Sequence, residues 1–228
     1  MTLNIVFLVD TSASMAGRKI EQLNEFMAEA VVLAERIAFD KRINIPIRVI
    51  EFNSEAKWLF GDADKGSGHI DWIPLHVDKN GHTDIVKAIH TAMSIMHKRI
   101  LGERDYRHVV VLVSDGLGDD RQKSIEAIEN LKHSLKEKIT RIAVRVEGAN
   151  EEELSTFASK GIVERDDGAA CYDCPFVIGA NEHKVFGWLL CSSIEDVHPA
   201  VMPVWQEENG EPVITVIGGY DDEDDWEE

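Results

Sequence analysis

The chain has 228 residues, enough for one hydrophobic core and a short extension. Its net charge of −18, from 42 acidic and 24 basic residues, argues against nonspecific nucleic-acid binding and against docking on anionic lipid, both of which need Lys and Arg facing phosphate. No segment approaches the roughly 18 apolar residues of a membrane span, Met1 leads into an apolar strand without a charged n-region, and three cysteines give no disulfide framework, so a cytoplasmic protein is expected.

Strand and helix patterns alternate along the chain, which implies a mostly parallel sheet with helices on both faces. Residues 3–9 read as the first strand. Residues 17–39 read as a helix with an apolar stripe at Ile20, Leu23, Met27, Ala30, Val31, Ala34, Ile37 and Ala38. Ile45 to Phe52 is the second strand. Residues 56–60 and 69–73 are expected as an edge hairpin around the loop Asp62-Ala63-Asp64-Lys65-Gly66-Ser67-Gly68. A helix over 84–100, a core strand over 107–114, a helix over 121–138 and a strand over 140–146 follow. Asn150 to Lys160 reads as a helix with Asn150 as N-cap and Gly161 just past its end. Phe176-Val177-Ile178 is the last strand of this unit, and Glu182 to Ser193 its last helix.

Beyond residue 198 the pattern changes. Pro203-Val204-Trp205 and residues 212–217 flank Asn209-Gly210, a turn signal between apolar runs, so residues 199–220 are expected as a β-hairpin extension. Seven of the last eight residues, 221–228, are acidic, and this stretch reads as a disordered tail.

The chemistry concentrates at three places. Asp10-Thr11-Ser12-Ala13-Ser14-Met15 follows the apolar run 4–9 and sets one carboxylate and two hydroxyls at alternate positions. Gly81-His82-Thr83-Asp84 opens a helical pattern, and Val109 to Val113 leads into Ser114-Asp115-Gly116. Singly, each has a plain explanation: Ser12 and Ser14 as helix caps, Thr83 as an N-cap with Asp84 in the first turn, and Asp115-Gly116 as a turn. Together they place oxygen ligands of the kind hard divalent cations take at the carboxyl ends of strands, where open α/β sheets form their ligand sites. Ser12, Ser14 and Thr83 offer neutral oxygens, and Asp10 and Asp115 the negative charge, directly or through water. Gly17 and Gly81 are either turn residues or points where backbone comes close to the ion.

Asp-x-Ser-x-Ser, then Thr83, then Asp115 resembles the metal-ion-dependent adhesion site of von Willebrand factor A domains. The resemblance covers about residues 2–195, so that a von Willebrand factor A domain over 1–198 is expected. It implies a doubly wound α/β sheet with one antiparallel edge strand. It also implies one Mg2+, Ca2+ or Mn2+ ion and a protein partner whose Asp or Glu carboxylate takes an open position on the metal. Binding rather than catalysis is expected. Asp10 to Gly17, continuing to Ile20 and Asn24, is similar to the opening of the TerY-like proteins of bacterial tellurite-resistance and stress operons, and Val185 to Ser193 resembles their last helix. The other role that the superfamily implies is a chelatase-like subunit working in trans with a ring ATPase.

Enzyme readings fit less well. Asp10-Thr11 after a first strand resembles the aspartyl nucleophile of haloacid-dehalogenase-type phosphatases, but Ser12 stands where their proton-donating acid would be. No histidine falls in a recognisable nucleophile elbow, and no Walker-type glycine loop is present. Cys171-x2-Cys174 with His183 and Cys191 has the ligand types of a zinc site. The alternative is unligated thiols, since Cys191 falls on an amphipathic helix where buried thiols are common. His82, beside the proposed ion, is a candidate for tuning partner access.

Overall fold

The run from Leu3 to Val9 is apolar at almost every position, which suits a strand covered on both faces rather than one. In the computed structural model, which describes residues 2–62, 65–100, 106–135, 139–164, 170–195, 203–208 and 211–216, it is the centre of the main sheet. β1 (Thr2–Asp10) is followed by α1 (Arg18–Lys41), β2 (Ile47–Phe52), β3 (Ala56–Phe60), α2 (Ile85–Ile100), β4 (Tyr106–Ser114), α3 (Arg121–Leu135), β5 (Ile139–Arg145) and α4 (Glu151–Phe157). Then come β6 (Lys160–Glu164), β7 (Ala170–Pro175), β8 (Val177–Gly179), α5 (His183–Glu195), β9 (Pro203–Glu208) and β10 (Glu211–Val216).

The six-stranded sheet has the order β3-β2-β1-β4-β5-β8. All neighbours are parallel except β3, which runs antiparallel to β2 at the edge. Side chains alternate across β1. Leu3, Ile5, Phe7 and Val9 pack with α1 and α5, while Val6 and Leu8 pack with α2 and α3. Each such buried side chain contributes about 1.5–3 kcal/mol over leaving it in water, so the register of β1 is strongly specified. The order reverses between β1 and β4, which opens a crevice at their carboxyl ends. Asp10 ends β1 and Ser114 ends β4 at that crevice.

Three expectations need correction. Residues 69–73 do not pair with β3. The connection forms a single backbone bridge to β2, at Ser67, whose N–H and C=O bond to Ile47, and then crosses α1 as irregular chain. Its backbone is satisfied by helix side chains instead: Ile70 N–H donates to Glu35 Oε1 (3.0 Å) and Leu75 N–H to Asn24 Oδ1 (2.7 Å). The helix capped by Asn150 ends at Phe157, three residues before the expected Lys160. Lys160-Gly161-Ile162-Val163-Glu164 instead forms β6 and pairs antiparallel with β7, a hairpin absent from the expectation. β9 and β10 pair antiparallel as a separate two-stranded sheet, the expected hairpin, and the acidic tail at 221–228 lies outside the described residues. Among the described residues, no helix is long and apolar enough to cross a membrane.

Candidate metal centre

The chain leaves β1 through a tight loop. Thr11 N–H bonds to the Phe52 carbonyl (2.9 Å), and Met15 N–H closes onto the Ser12 carbonyl (3.0 Å) in a short 3-10 turn over Ala13–Met15. Met15 is fully buried and anchors this turn in the core. The alternation of the loop then turns Thr11 away, towards Glu51 (3.0 Å), while Ser12 and Ser14 face each other with their Oγ atoms 3.1 Å apart. Thr83 Oγ1 donates to Ser12 Oγ at 2.8 Å, and Ser14 Oγ donates to Asp115 Oδ1 at 3.1 Å. Four of the five expected residues are thus joined in one chain of oxygens.

Asp10 stands behind them, fully buried. Ser12 N–H donates to its Oδ1 (2.8 Å) and Ser114 Oγ to its Oδ2 (2.7 Å). It therefore ties the loop to the end of β4. Burial pushes the Asp10 carboxyl up from an ordinary 3.8 to about 6; the Ser114 and Ser12 hydrogen bonds pull the other way, and the nearby Asp115 charge adds a little to the rise.

The donor set fits a small divalent cation. An octahedral ion with bonds of about 2.1 Å has neighbouring ligand oxygens about 3.0 Å apart. The three observed separations among Ser12, Ser14, Thr83 and Asp115 run from 2.8 to 3.1 Å. Every donor is oxygen, as hard cations require.

Thr83 does not cap α2, contrary to the plain reading of that position. Asp84 does: its Oδ1 accepts from Lys87 N–H (3.2 Å), which leaves the Thr83 hydroxyl for Ser12. Glycines occupy three turns beside the site. Gly118 has φ +97°, and an added Cβ would lie 2.3 Å from the Thr83 carbonyl oxygen, so only glycine lets the loop after β4 close on Thr83. Gly17 has φ +78° where the chain turns into α1. Gly81 contributes through its carbonyl, which accepts from Ala13 N–H (3.0 Å) and fixes the Thr83 segment to the Asp10 loop. His82 is exposed at the rim, with Nδ1 3.0 Å from Asp119 Oδ2.

Two residues escaped the sequence reading. Ser114 orients Asp10 across 104 positions, and Lys19 Nζ sits 2.6 Å from Asp115 Oδ2 across 96. For Lys19 a signal existed. A cation in the first turn of a helix opposes the macrodipole and needs a local anion.

Of the four zinc candidates, the structure describes the side chains of Cys174, His183 and Cys191, and it does not bring His183 and Cys191 together. Cys174 is disulfide-bonded, which removes its thiolate, and the side chain of Cys171 lies outside the described set. His183 stacks on Phe26 and reaches Glu29 Oε2 at 3.1 Å, while Cys191 is a buried thiol on α5. Eight residues apart on one helix, those two are separated by about 12 Å of rise, too far to share an ion. Among the described residues no group of three or more His, Cys, Asp or Glu side chains is clustered as a metal site. Cys174 in a disulfide also departs from the expectation of unligated thiols.

Comparison with known proteins bears on the family and the fold. Residues 4–168 match the von Willebrand factor type A domain. The mouse (Mus musculus) collagen alpha-5(VI) chain is 27% identical over 166 residues, which is 69% of this chain and 6% of that one, so this chain spans only a small part of that relative's length. Among solved structures, manganese-loaded TRAP protein of Plasmodium vivax superposes with a TM-score of 0.57 at 18% identity, covering 85% of this chain and 73% of that one. Proximal thread matrix protein 1 from the mussel byssus, with a zinc-occupied MIDAS motif, gives a TM-score of 0.53 at 17% identity, covering 84% of this chain and 46% of that one. With the match spanning most of its length and the sheet order and Asp-x-Ser-x-Ser loop in place, the chain belongs to the von Willebrand factor type A domain family.

Proposed function

We propose that this chain is a metal-dependent protein-binding module whose ion, Mg2+ or a similar divalent cation, is held by Ser12, Ser14 and Thr83, with Asp10 and Asp115 in direct or water-bridged contact. The observation that carries the reading is the spacing of 2.8–3.1 Å linking the Ser12, Ser14, Thr83 and Asp115 oxygens at the carboxyl ends of β1 and β4. A divalent ion there supplies an open coordination position for a carboxylate oxygen of a partner. Ser12, Ser14 and Thr83 would hold the ion through neutral oxygens, which leaves it more net positive charge for that carboxylate than an all-carboxylate site would. Asp10 holds the loop from behind. The manganese and zinc named for two structural neighbours support the divalent class without choosing among Mg2+, Mn2+ and Ca2+.

Binding rather than turnover is the reading for the hydroxyls. Those of Ser12 and Ser14 are engaged with each other, Thr83 and Asp115, with no imidazole in the chain of contacts. The biological setting we assign is a bacterial tellurite-resistance or stress-response system, supported by the similarity of Asp10 to Asn24 and Val185 to Ser193 to the TerY-like proteins. The cytoplasm is the compartment that goes with it. The Cys174 disulfide weighs on the other side, since reducing compartments keep such pairs as thiols.

The test is Asp115→Ala. Its carboxylate stands at the rim, 14% exposed and outside the apolar core, so the variant should fold. Wild-type protein at 100-fold excess of Mg2+ over the dissociation constant should melt about 5–10 °C higher than without metal. Asp115→Ala should show little of that rise. If it were stabilised as much as wild type, the cation would sit elsewhere.

A further inference from the structure

Lys19 has no part in the metal reading as it stands, yet its ammonium contacts one of the site's carboxylates. Nζ lies 2.6 Å from Asp115 Oδ2, while the other oxygen of the same carboxylate accepts from Ser14 Oγ at 3.1 Å. The pair is only partly exposed, 27% for Lys19 and 14% for Asp115. Its neighbour Arg18 behaves differently. Arg18 points into solvent and pairs with Glu21 (3.1 Å) and Glu25 (3.0 Å) on its own helix. Both cations occupy the first turn of α1, where the macrodipole favours anions. Arg18 is compensated within α1. Lys19 is compensated by reaching across to the end of β4.

This placement changes the electrostatics of the metal-free site. Asp10 and Asp115 would otherwise face each other as two carboxylates. With Lys19 seated on Asp115, the site already holds one positive charge at its rim. A divalent cation arriving among Ser12, Ser14 and Thr83 needs the same carboxylate, and like charges at contact distance in a partly desolvated cleft repel strongly. The two cations therefore exclude one another.

We propose that Lys19 is a tethered counter-cation of this site, displaced from Asp115 when the divalent ion binds, and that Lys19 thereby sets the metal affinity. The inference rests on the metal reading above and goes beyond it in naming an intramolecular competitor. Lys19 also carries a structural duty in the metal-free chain, since it neutralises Asp115 there.

Calorimetric titration of the full chain with Mn2+ tests this directly. Lys19→Gln keeps much of the stem but loses the charge, and should bind Mn2+ about threefold to fivefold more tightly, the upper end of the scale of a partly exposed ion pair. Lys19→Arg, which retains the cation, should stay within about twofold of wild type. A second readout needs no metal. Lys19→Gln should lower the melting temperature of the metal-free chain in the wild-type background and leave it unchanged in an Asp115→Asn background, as a coupled pair requires. Lys19→Gln binding Mn2+ equally or less tightly than wild type, while Asp115→Ala abolishes binding, would overturn the competitor and spare the metal site. Neither wild type nor Lys19→Gln binding Mn2+ would overturn both. Binding by Lys19→Gln alone would support the competitor in its strongest form.

Discussion

Asp10 is held under opposing demands. A cation site needs its negative charge, yet the carboxyl is fully buried, and burial disfavours that charge enough to place it near pH 6. The sign follows from linkage. A carboxyl whose folded value lies above its ordinary 3.8 contributes stability that is present below pH 3.8 and is lost as pH rises through about 6. The loss by pH 8 is about 3 kcal/mol in the absence of metal. Asp10→Asn removes the charge and keeps an oxygen for the Ser12 N–H, and Ser114 Oγ can turn to accept. Without metal the variant should therefore melt higher than wild type at pH 8 and about equal to it at pH 4, and Mn2+ should no longer stabilise it. Thermal melts at the two pH values check this, and a variant less stable than wild type at pH 8 would show that Asp10's hydrogen bonds outweigh its desolvation. At this scale the site was largely legible in the sequence. Asp10, Ser12, Ser14, Thr83 and Asp115 carry oxygens at places that pattern alone marks as loop or strand end. The partners of Ser114 and Lys19 were not legible, because each is reached across about a hundred residues, although the place of Lys19 in the first turn of α1 marked it as needing an anion.

Among the elements, the irregular strap after β3 decides how Thr83 reaches the Asp10 loop. His69-Ile70-Asp71-Trp72-Ile73 alternates as a strand would, but a strand needs a ladder partner, and α1 supplies side chains instead. Asn24 makes three of these bonds: Oδ1 accepts from Leu75 N–H (2.7 Å) and Trp72 Nε1 (3.3 Å), and Nδ2 donates to the Leu75 carbonyl (3.0 Å). Further along, Asp78 N–H bonds to the Thr11 carbonyl (2.8 Å), which links the strap to the site. Asn24→Ala leaves half-buried backbone groups unpaired and should cost about 2 kcal/mol in urea unfolding. The Leu75 amide should exchange faster with solvent, and Mn2+ affinity should fall with it. Unchanged exchange at Leu75 would show that the strap is held by its apolar contacts alone. Alternation in sequence reports which faces are wet and dry; it does not say whether a strand or a helix side chain takes the backbone hydrogen bonds. The β6–β7 hairpin was hidden for a related reason. Lys160 continues the helical spacing of α4, but from Phe157 on the chain bonds to distant segments instead: Phe157 and Ser159 to Arg141 of β5, and residues 160–164 to β7.

Across the whole molecule, α5 closes the sheet face that α1 begins. Phe186 is fully buried, with its ring centroid 5.3 Å from Phe26 of α1 in an edge-on arrangement and 6.0 Å from Phe7 of β1. His183 stacks on the same Phe26 at 5.5 Å. These contacts join three elements that are far apart in sequence. Phe186→Ala should destabilise the chain by about 3–5 kcal/mol through lost transfer energy and a cavity, which is about 6–20 °C in melting temperature for a chain of this size. A shift under about 2 °C would mean that α5 contributes little to the core.

What local sequence determined were the strand and helix types and the ligand chemistry. Continuous apolar runs specify buried strands, 3.6-residue stripes specify covering helices, and carboxylates with hydroxyls at strand ends specify an oxygen site. Each of these is written within about twenty residues. What only the tertiary structure decided was which groups share a charge or a hydrogen bond: Lys19 on Asp115, Ser114 on Asp10, Asn24 on the strap, Gly118 against Thr83. Those pairings depend on strand order and on the distance between loops at one edge of the sheet. That distance is set by packing of the two cores against β1, and no short window of sequence contains it.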